Sequence, residues 1–397
     1  MKIIHTADLH IGQTTHDNSG DGIIKNFDAI VEYGLKNDVD AMIIAGDVFH
    51  ARNPSQTMQR DFYTRLSKFS SHAPVVIVAG NHDLPVDPTK ASAICMPSIF
   101  CVPNVHVIER DAIITLETKN GPLQIACLPY PQKKRLLTHI SSGRNAAEID
   151  MIFRQAIIGC VGGMAQEIDT SMPAILVAHL HVAGAQVGNS PPNVLGGDVI
   201  IGSFDLSLPA FDYVALGHIH KHQCVSDMYP PVVYSGNIER MDFGDENDTK
   251  GFCLVNVERE ATTWEFVELD ATKFVTVDCD VSHSDNPTSD VHEATKKYDV
   301  ENAIVRIRVR VSALGCAALF ENDVRQQLNL RGAKGVHFLK QRDDAGIRCR
   351  VGTKISAMTP EDLLRAFFGH AGKLDAEVDE LMTEAKYLMS DDYISEA

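Results

Sequence analysis

At 397 residues, 44% of them apolar, the chain is long enough for two or three domains and too hydrophobic to be disordered throughout. Its 36 Lys and Arg against 53 Asp and Glu leave a formal charge of −17, which excludes a generally basic nucleic-acid coat or a polybasic membrane anchor, although bound cations or a local basic face could reverse the field at one place. No apolar run approaches the ~18 residues of a membrane span, MKIIHTADLHIGQ is no signal peptide, and nine cysteines without a C-x-x-C pair predict reduced thiols in a cytoplasmic protein.

In chain order, short runs rich in Val, Ile and Ala at Lys2–Ala7, Ala41–Ala45 and Val75–Ala79 read as strands. Between them Ile23, Phe27, Ile30, Val31 and Leu35, and then Met58, Phe62, Leu66 and Phe69, fall on single helical faces. Further strands are expected at Leu123–Leu128, Ala174–Ala178 and Tyr213–Leu216, each ending in polar residues. From about Pro230 strands follow one another without helices, at Pro231–Ser235, Gly251–Val257 and Thr263–Leu269. They complete the sheets of a first domain, residues 1–270. A small α+β module, 271–352, is predicted from strands at Phe274–Val281, Ala303–Val311 and Gly335–Leu339 and helices near Ser289–Tyr298 and Ala317–Leu328. Its AIVRIRVRV run puts Arg306, Arg308 and Arg310 on one strand face. An acidic helical tail, 353–397, follows, with Leu374, Val378, Leu381, Met382, Ala385 and Leu388 on one stripe.

Five polar clusters follow predicted strands: Asp8-Leu9-His10, Gly46-Asp47, Gly80-Asn81-His82-Asp83, His179, and Gly217-His218-Ile219-His220. Taken singly, each has an ordinary reading as a turn or a core histidine. Together they stand at the carboxyl ends of strands, where ligands of open α/β sheets gather. They supply what two divalent cations about 3.5–4 Å apart require: a carboxylate shared by both, and separate nitrogen and oxygen ligands for each. Asp47 fits the shared position, since its two oxygens can face both ions. Asp8, His10 and one later histidine can complete one site; Asn81, His179 and another histidine can complete the other. Carboxylate, amide and imidazole without thiolate suit Mn²⁺ or Fe²⁺ better than structural Zn²⁺. His82 could donate to a leaving oxygen, with Asp83 orienting its ring.

The pattern D-x-H, G-D, G-N-H-[DE], H, G-H-x-H resembles that of the calcineurin-like metallophosphoesterase superfamily, in full and in order. DLHIG, GDVFHARNPS, VAHLHVAGAQV, FDYVALGHIHKHQ and YSGNIERMDFGDENDTKGFCLVNV are similar to SbcD-type exonuclease subunits, relatives of the Mre-type break-repair nucleases, over roughly residues 1–270. The resemblance implies an α/β fold of two packed mixed β-sheets flanked by helices, then a small α+β capping domain and a C-terminal helical tail. It implies two Mn²⁺, with Mg²⁺ or Fe²⁺ less favoured. Asp8, His10, Asp47 and His220 would hold one ion and Asp47, Asn81, His179 and His218 the other, leaving His82 as the catalytic histidine that binds no metal. It further implies 3′–5′ exonuclease action on duplex ends, endonuclease action on single strands, and a homodimer through the Met58–Phe69 helix. An SMC-like, SbcC-type ATPase would engage the tail. Leu9 replaces the usual aromatic, and His222 stands where Pro is common. His181 adds an imidazole on the same strand face as His179, so spacing does not choose between them.

Other residues have two readings. His50 and Arg52, on the loop after Asp47, are candidate contacts to DNA phosphates or plain solvent-exposed groups. The Arg306, Arg308 and Arg310 row is either a phosphate-backbone contact or a solvated sheet face. His5, inside the first strand, reads as a hydrogen-bonded core residue. The rival functions are a phosphatase or small-molecule phosphodiesterase with the same two-metal core, and a non-catalytic scaffold.

Overall fold

In a computed structural model of the chain, the described residues are 1–14, 20–87, 90–133, 145–188, 199–226, 228–312, 318–342, 364–365 and 375–388. The first part alternates β1 (Lys2–Thr6), α1 (Asp21–Lys36), β2 (Ala41–Ile44), α2 (Gln56–Ser70), β3 (Val75–Val78), a short α3 (Met96–Ile99) and β4 (Val105–Ile108). There follow β5 (Ala112–Thr118), β6 (Gly121–Leu128), α4 (Ala146–Glu167), β7 (Ala174–His179), β8 (His181–Val182), β9 (Ile200–Ile201) and β10 (Tyr213–Gly217). Then come β11 (Gln223–Cys224), β12 (Val232–Tyr234), β13 (Gly251–Asn256) and β14 (Thr263–Glu268). The remainder is β15 (Lys273–Asp280), α5 (Pro287–Thr295), β16 (Ala303–Val311), α6 (Glu321–Leu330), β17 (Gly335–Arg342) and α7 (Asp375–Leu388).

Two six-stranded sheets carry the architecture, in the orders β14-β13-β1-β2-β3-β4 and β11-β12-β10-β7-β6-β5. Strands β1 to β4 run parallel, with β13 and β14 added antiparallel at one side. In the second sheet β12, β10, β7 and β6 are parallel, and β11 and β5 are the antiparallel edges. The strand runs are apolar on both faces because each face is covered. Ile4, Met42, Ile44, Val75 and Ile77 pack with Phe27, Ile30, Phe62 and Phe69 of α1 and α2. Their neighbours Ile3, Ala41, Ile43, Val76 and Val78 face Ile125, Ile175, Val177, Tyr213 and Ala215 of the second sheet. The far side of that sheet, through Leu176, Val214 and Leu216, buries Phe153, Ile157 and Val161 of α4. The layers are therefore helix, sheet, sheet, helix. Parallel neighbours end on the same side, so the loops after β1, β2 and β3 come out together, as do those after β7 and β10.

The chain divides into two compact units: residues 1–278, 292–308 and 321–339, and residues 279–291, 309–320 and 340–397. Strands β15, β16 and β17 pair as a three-stranded sheet. Within the first unit Phe243, Phe274 and Ile304 form a small apolar cluster. Within the second, Val281, Val291, Val311 and Leu319 are buried, and Thr288 Oγ1 donates to the Ala318 carbonyl and accepts from the Phe320 amide. The helix expected near Ala317–Leu328 begins at Glu321; residues 313–317 lie outside the described set. Most of the predicted tail, including Leu374, also lies outside it. Of the stripe in α7, Val378 and Met382 are buried and Leu381 is exposed. No helix among the described residues is long and apolar enough to cross a membrane.

Candidate metal centre

The loops that leave β1, β2 and β10 turn at once, and their acidic and imidazole residues take the strain. Asp8, His10, Asp47 and His218 all have positive φ, at 51°, 45°, 53° and 96°, a left-handed backbone that non-glycine residues adopt at a cost and that gathers at functional sites. The first two loops are laced together by Asp8 N–H to the Gly46 carbonyl (2.9 Å), His10 N–H to Asp47 (3.0 Å) and Ile11 N–H to Val48 (2.9 Å). Glycine is required at the closest approaches. A Cβ on Gly46 would lie 2.1 Å from His179 Nδ1, and one on Gly80 would lie 2.1 Å from Asp47 Oδ1.

These turns bring Asp8, His10, Asp47, Asn81, His179, His218 and His220 together. Asn81 Oδ1 lies 3.0 Å from His179 Nε2 and 3.1 Å from His218 Nδ1, and His10 Nε2 lies 3.0 Å from His220 Nε2. Asp8 accepts from the His218 amide on both oxygens, at 3.1 and 3.0 Å. Asp47 stands between the two halves: its Oδ1 accepts from the His82 amide at 2.8 Å, and its Oδ2 lies 3.7 Å from His10 Nε2 and 3.5 Å from His179 Nε2.

The donor set fits divalent cations. Ligand atoms of Asp8, His10 and His220, and of Asp8, Asp47 and His179, lie within 4.8 Å of one another. His179 gives its Nδ1–H to the Ala45 carbonyl at 2.8 Å, which sets Nε2 facing the oxygens of Asn81 and Asp47; a carbonyl behind the ring is the usual support of a ligating histidine. Burial pushes the His220 pKa down to about 3 and that of His10 well below its usual range, so both rings keep lone pairs available. His10 Nδ1 is buried without a partner. Burial, aided by the Asp47 charge, raises Asp8 to about 7 against the opposing pull of His179. Asp47 moves the other way: burial opposes it, but His179, His10 and His82 hold it far below the carboxylate range, and the same pair lifts His179 to about 9 despite its burial. Crowded carboxylates and lone pairs of this kind call for positive charge among them.

The profile of the calcineurin-like phosphoesterases matches residues 1–222. The chain belongs to this family. It is 28% identical over 327 residues to a Bacillus subtilis protein named as the D component of the nuclease SbcCD, covering 79% of this chain and 80% of the relative. A Rhodobacter capsulatus protein of the same name is 31% identical over 245 residues, 56% of this chain and 58% of the relative. Among solved structures, a dimetal phosphatase from Danio rerio aligns with a TM-score of 0.41 at 9% identity, covering 67% of this chain and 95% of that one. The TT1561 protein of Thermus thermophilus aligns with a TM-score of 0.37 at 13% identity, covering 67% and 98%.

Around the metal-dependent phosphoesterase cluster, the expected role of Asp83 changes. A cavity of about 290 Å³ opens beside it, lined by His10, His50, His82, His218, His220 and Lys221 and walled by the 241–245 loop. His82 enters this cavity, and its Nδ1–H donates to the His50 carbonyl at 2.5 Å. Asp83 does not orient that ring. Its carboxylate is buried and accepts from the amides of Val48 (3.0 Å), Phe49 (3.4 Å) and Gly80 (2.9 Å), so it ties the second and third loops together. Burial and the nearby Asp47 raise its pKa to about 7. His50 is exposed beside His82, with its ring stacked at 5.4 Å. Arg52 is exposed and gives Nε–H to the Leu84 carbonyl and an Nη2 hydrogen to the Asn81 carbonyl.

The Arg306, Arg308 and Arg310 row is not an open basic face. Arg306 bonds Thr276 and lies over the Phe243 ring at 4.3 Å; Arg308 makes a two-point pair with Asp278 at 2.6 and 2.5 Å; Arg310 lies 3.6 Å from Asp280. Alternation on β15 sets an acceptor opposite each arginine on β16, and cross-strand pairing uses the charge. Of the competing imidazoles, His179 enters the cluster. His181 has its ring 6.3 Å from that of His218, and His222 donates to the Tyr234 carbonyl and stacks on Phe266. His5 bonds Tyr213 and the Leu216 carbonyl in the core.

Two neighbours stand outside the five polar clusters. Tyr130 lays its ring 5.9 Å from His218 and 6.2 Å from His179. Lys250, in the polar run before β13, has a fully buried side chain beside Asp245, Asp248 and the His220 carbonyl.

Proposed function

We propose that the chain is a Mn²⁺-dependent phosphodiesterase acting on DNA ends, a 3′–5′ exonuclease on duplexes and an endonuclease on single strands, coupled to an SMC-like ATPase. The observation that carries this reading is the convergence of seven side chains of metal-ligand type from both sheets beside an open cavity that holds His82. The names of the relatives, which speak of a nuclease built from more than one kind of chain, support the substrate and the partner. In this reading residues 1–270 are the nuclease domain, 271–352 a capping domain and 353–397 the segment that meets the ATPase, with α2 contributing to a homodimer.

Asp8, His10, Asp47 and His220 would hold one cation, and Asp47, Asn81, His179 and His218 a second. Bound there, the ions would supply charge for the phosphoryl oxygens and acidify the attacking water. The chain's own residues do the rest. Ala45 fixes the His179 tautomer from behind. Asp83 and Arg52 hold the loop that carries Asn81 and His82. The His50 carbonyl claims His82 Nδ1–H, so the other ring nitrogen is the one that exchanges a proton. Protonated there, His82 donates to the departing sugar oxygen.

A labelled blunt duplex should be degraded from its 3′ ends in Mn²⁺ and left intact in EDTA. Turnover of p-nitrophenyl phosphate with the duplex untouched would replace the reading with a phosphatase; no turnover of either would leave a scaffold.

A further inference from the structure

We infer that Lys250 is a positioning residue for the His10–His220 side of the metal centre, acting through the His220 carbonyl; the inference rests on His220 being a ligand. The Lys250 side chain has no exposed surface. Its Nζ donates to the His220 carbonyl at 3.3 Å and lies 3.3 Å from Asp245 Oδ2 and 3.7 Å from Asp248 Oδ2. A buried ammonium with its counter-ions adds little net stability over an apolar side chain of the same size, so its value lies in what it fixes.

What it fixes is the relation between the two sheets. The ligands come in halves: Asp8 and His10 follow β1 of one sheet, and His218 and His220 follow β10 of the other. Lys250 immediately precedes β13, which pairs with β1 from Lys2↔Asn256 to His5↔Cys253. Its ammonium therefore reaches from the strand beside β1 to the loop after β10. The same carbonyl also accepts from the Asn237 amide at 3.1 Å. Gly236 presses on that loop so closely that a Cβ would lie 2.7 Å from the His220 oxygen. With the carbonyl gripped at both donors, His220 Nε2 is set 3.0 Å from His10 Nε2. Asp245 meanwhile accepts from the Met241 amide at 2.9 Å, which joins the cavity wall to the same ammonium.

The test measures Mn²⁺ binding by calorimetry on the full chain, without reference to turnover. Lys250→Met alone leaves two buried carboxylates unpaired, so the decisive variant is Lys250→Met with Asp245→Asn and Asp248→Asn. It should fold and lose Mn²⁺ affinity about 10- to 100-fold, the usual effect of removing the support of a ligand. In a His220→Ala background the same three changes should cost nothing further, because the imidazole they position is gone. Unchanged affinity in the triple variant, or losses that add in the double background, would overturn the role. Normal Mn²⁺ binding by His220→Ala alone would instead remove the metal centre proposed above. Should the triple variant not fold, the unaltered chain decides. Coupling is reciprocal, so saturating Mn²⁺ should slow hydrogen exchange at the amides of Asp245 and Asp248, which bond Asp242 and Asp245. Mn²⁺ should fail to do so in His220→Ala. Equal exchange with and without Mn²⁺ in the unaltered chain would sink the proposal.

Discussion

His82 shows how much one hydrogen bond decides. Its backbone amide serves Asp47 Oδ1 and its Nδ1–H serves the His50 carbonyl, so the ring is fixed without making any bond to Asn81 or His179. Replacing it by Ala keeps the amide that braces Asp47 and removes only the ring. His82→Ala should therefore bind Mn²⁺ and DNA as before and cleave about 10²- to 10⁴-fold more slowly; a cleavage rate within a few fold of the parent would remove His82 from the reaction. The types and order of the site residues were legible because each motif ends a strand. What Asp83 holds was not: it depends on the amides of Val48, Phe49 and Gly80, which the sequence shows only as neighbours. The choice of His179 over His181 follows from the Ala45 carbonyl behind its ring, a contact between sheets that no spacing encodes.

At the scale of elements, buried strands announced themselves through β-branched runs, and α1 and α2 through their apolar faces. Helix α4 escaped notice because apolar residues surround it and Gly159, Gly162 and Gly163 weaken the pattern; its visible mark was the capping box, with Asn145 and Glu148 bonded to each other's amides. The β5–β6 hairpin turns through Lys119 and Asn120, with Gly121 opening β6 at positive φ. Strand β1 yields a pH prediction through His5. Burial lowers its pKa to about 3, against the raising effect of the Leu216 carbonyl. Between about 6.5 and 3 the unfolded chain binds a proton that the folded chain refuses, so stability is lost as pH falls through that window. The penalty approaches about 1.4 kcal/mol per pH unit for one such group. His5→Gln should have a shallower fall of Tm between pH 7 and 5 than the parent, compared in EDTA. Parallel curves would mean that His5 is protonated in the fold.

For the whole molecule, the charge of −17 bears on how the DNA proposed as substrate would be held. Alternation made Arg306, Arg308 and Arg310 look like a phosphate row, yet the partner strand, not the run itself, decides what such a row does. Asp278 and Asp280 on β15 already answer it. A protein that neutralises Z phosphates shows a slope of about −0.9Z in log affinity against log salt. With that row neutralised and the net charge opposed to DNA, the chain should show a shallow slope, below about 3 in magnitude. Arg308→Gln then serves as the discriminating variant. Its pair with Asp278 is exposed, so the change should cost under about 1 kcal/mol of stability. Affinity for a duplex should stay within about twofold and the slope should not move. A slope reduced by about 0.9, with affinity falling most at low salt, would restore the arginine to the DNA interface. It would also mean that the phosphate outcompetes Asp278 for the guanidinium.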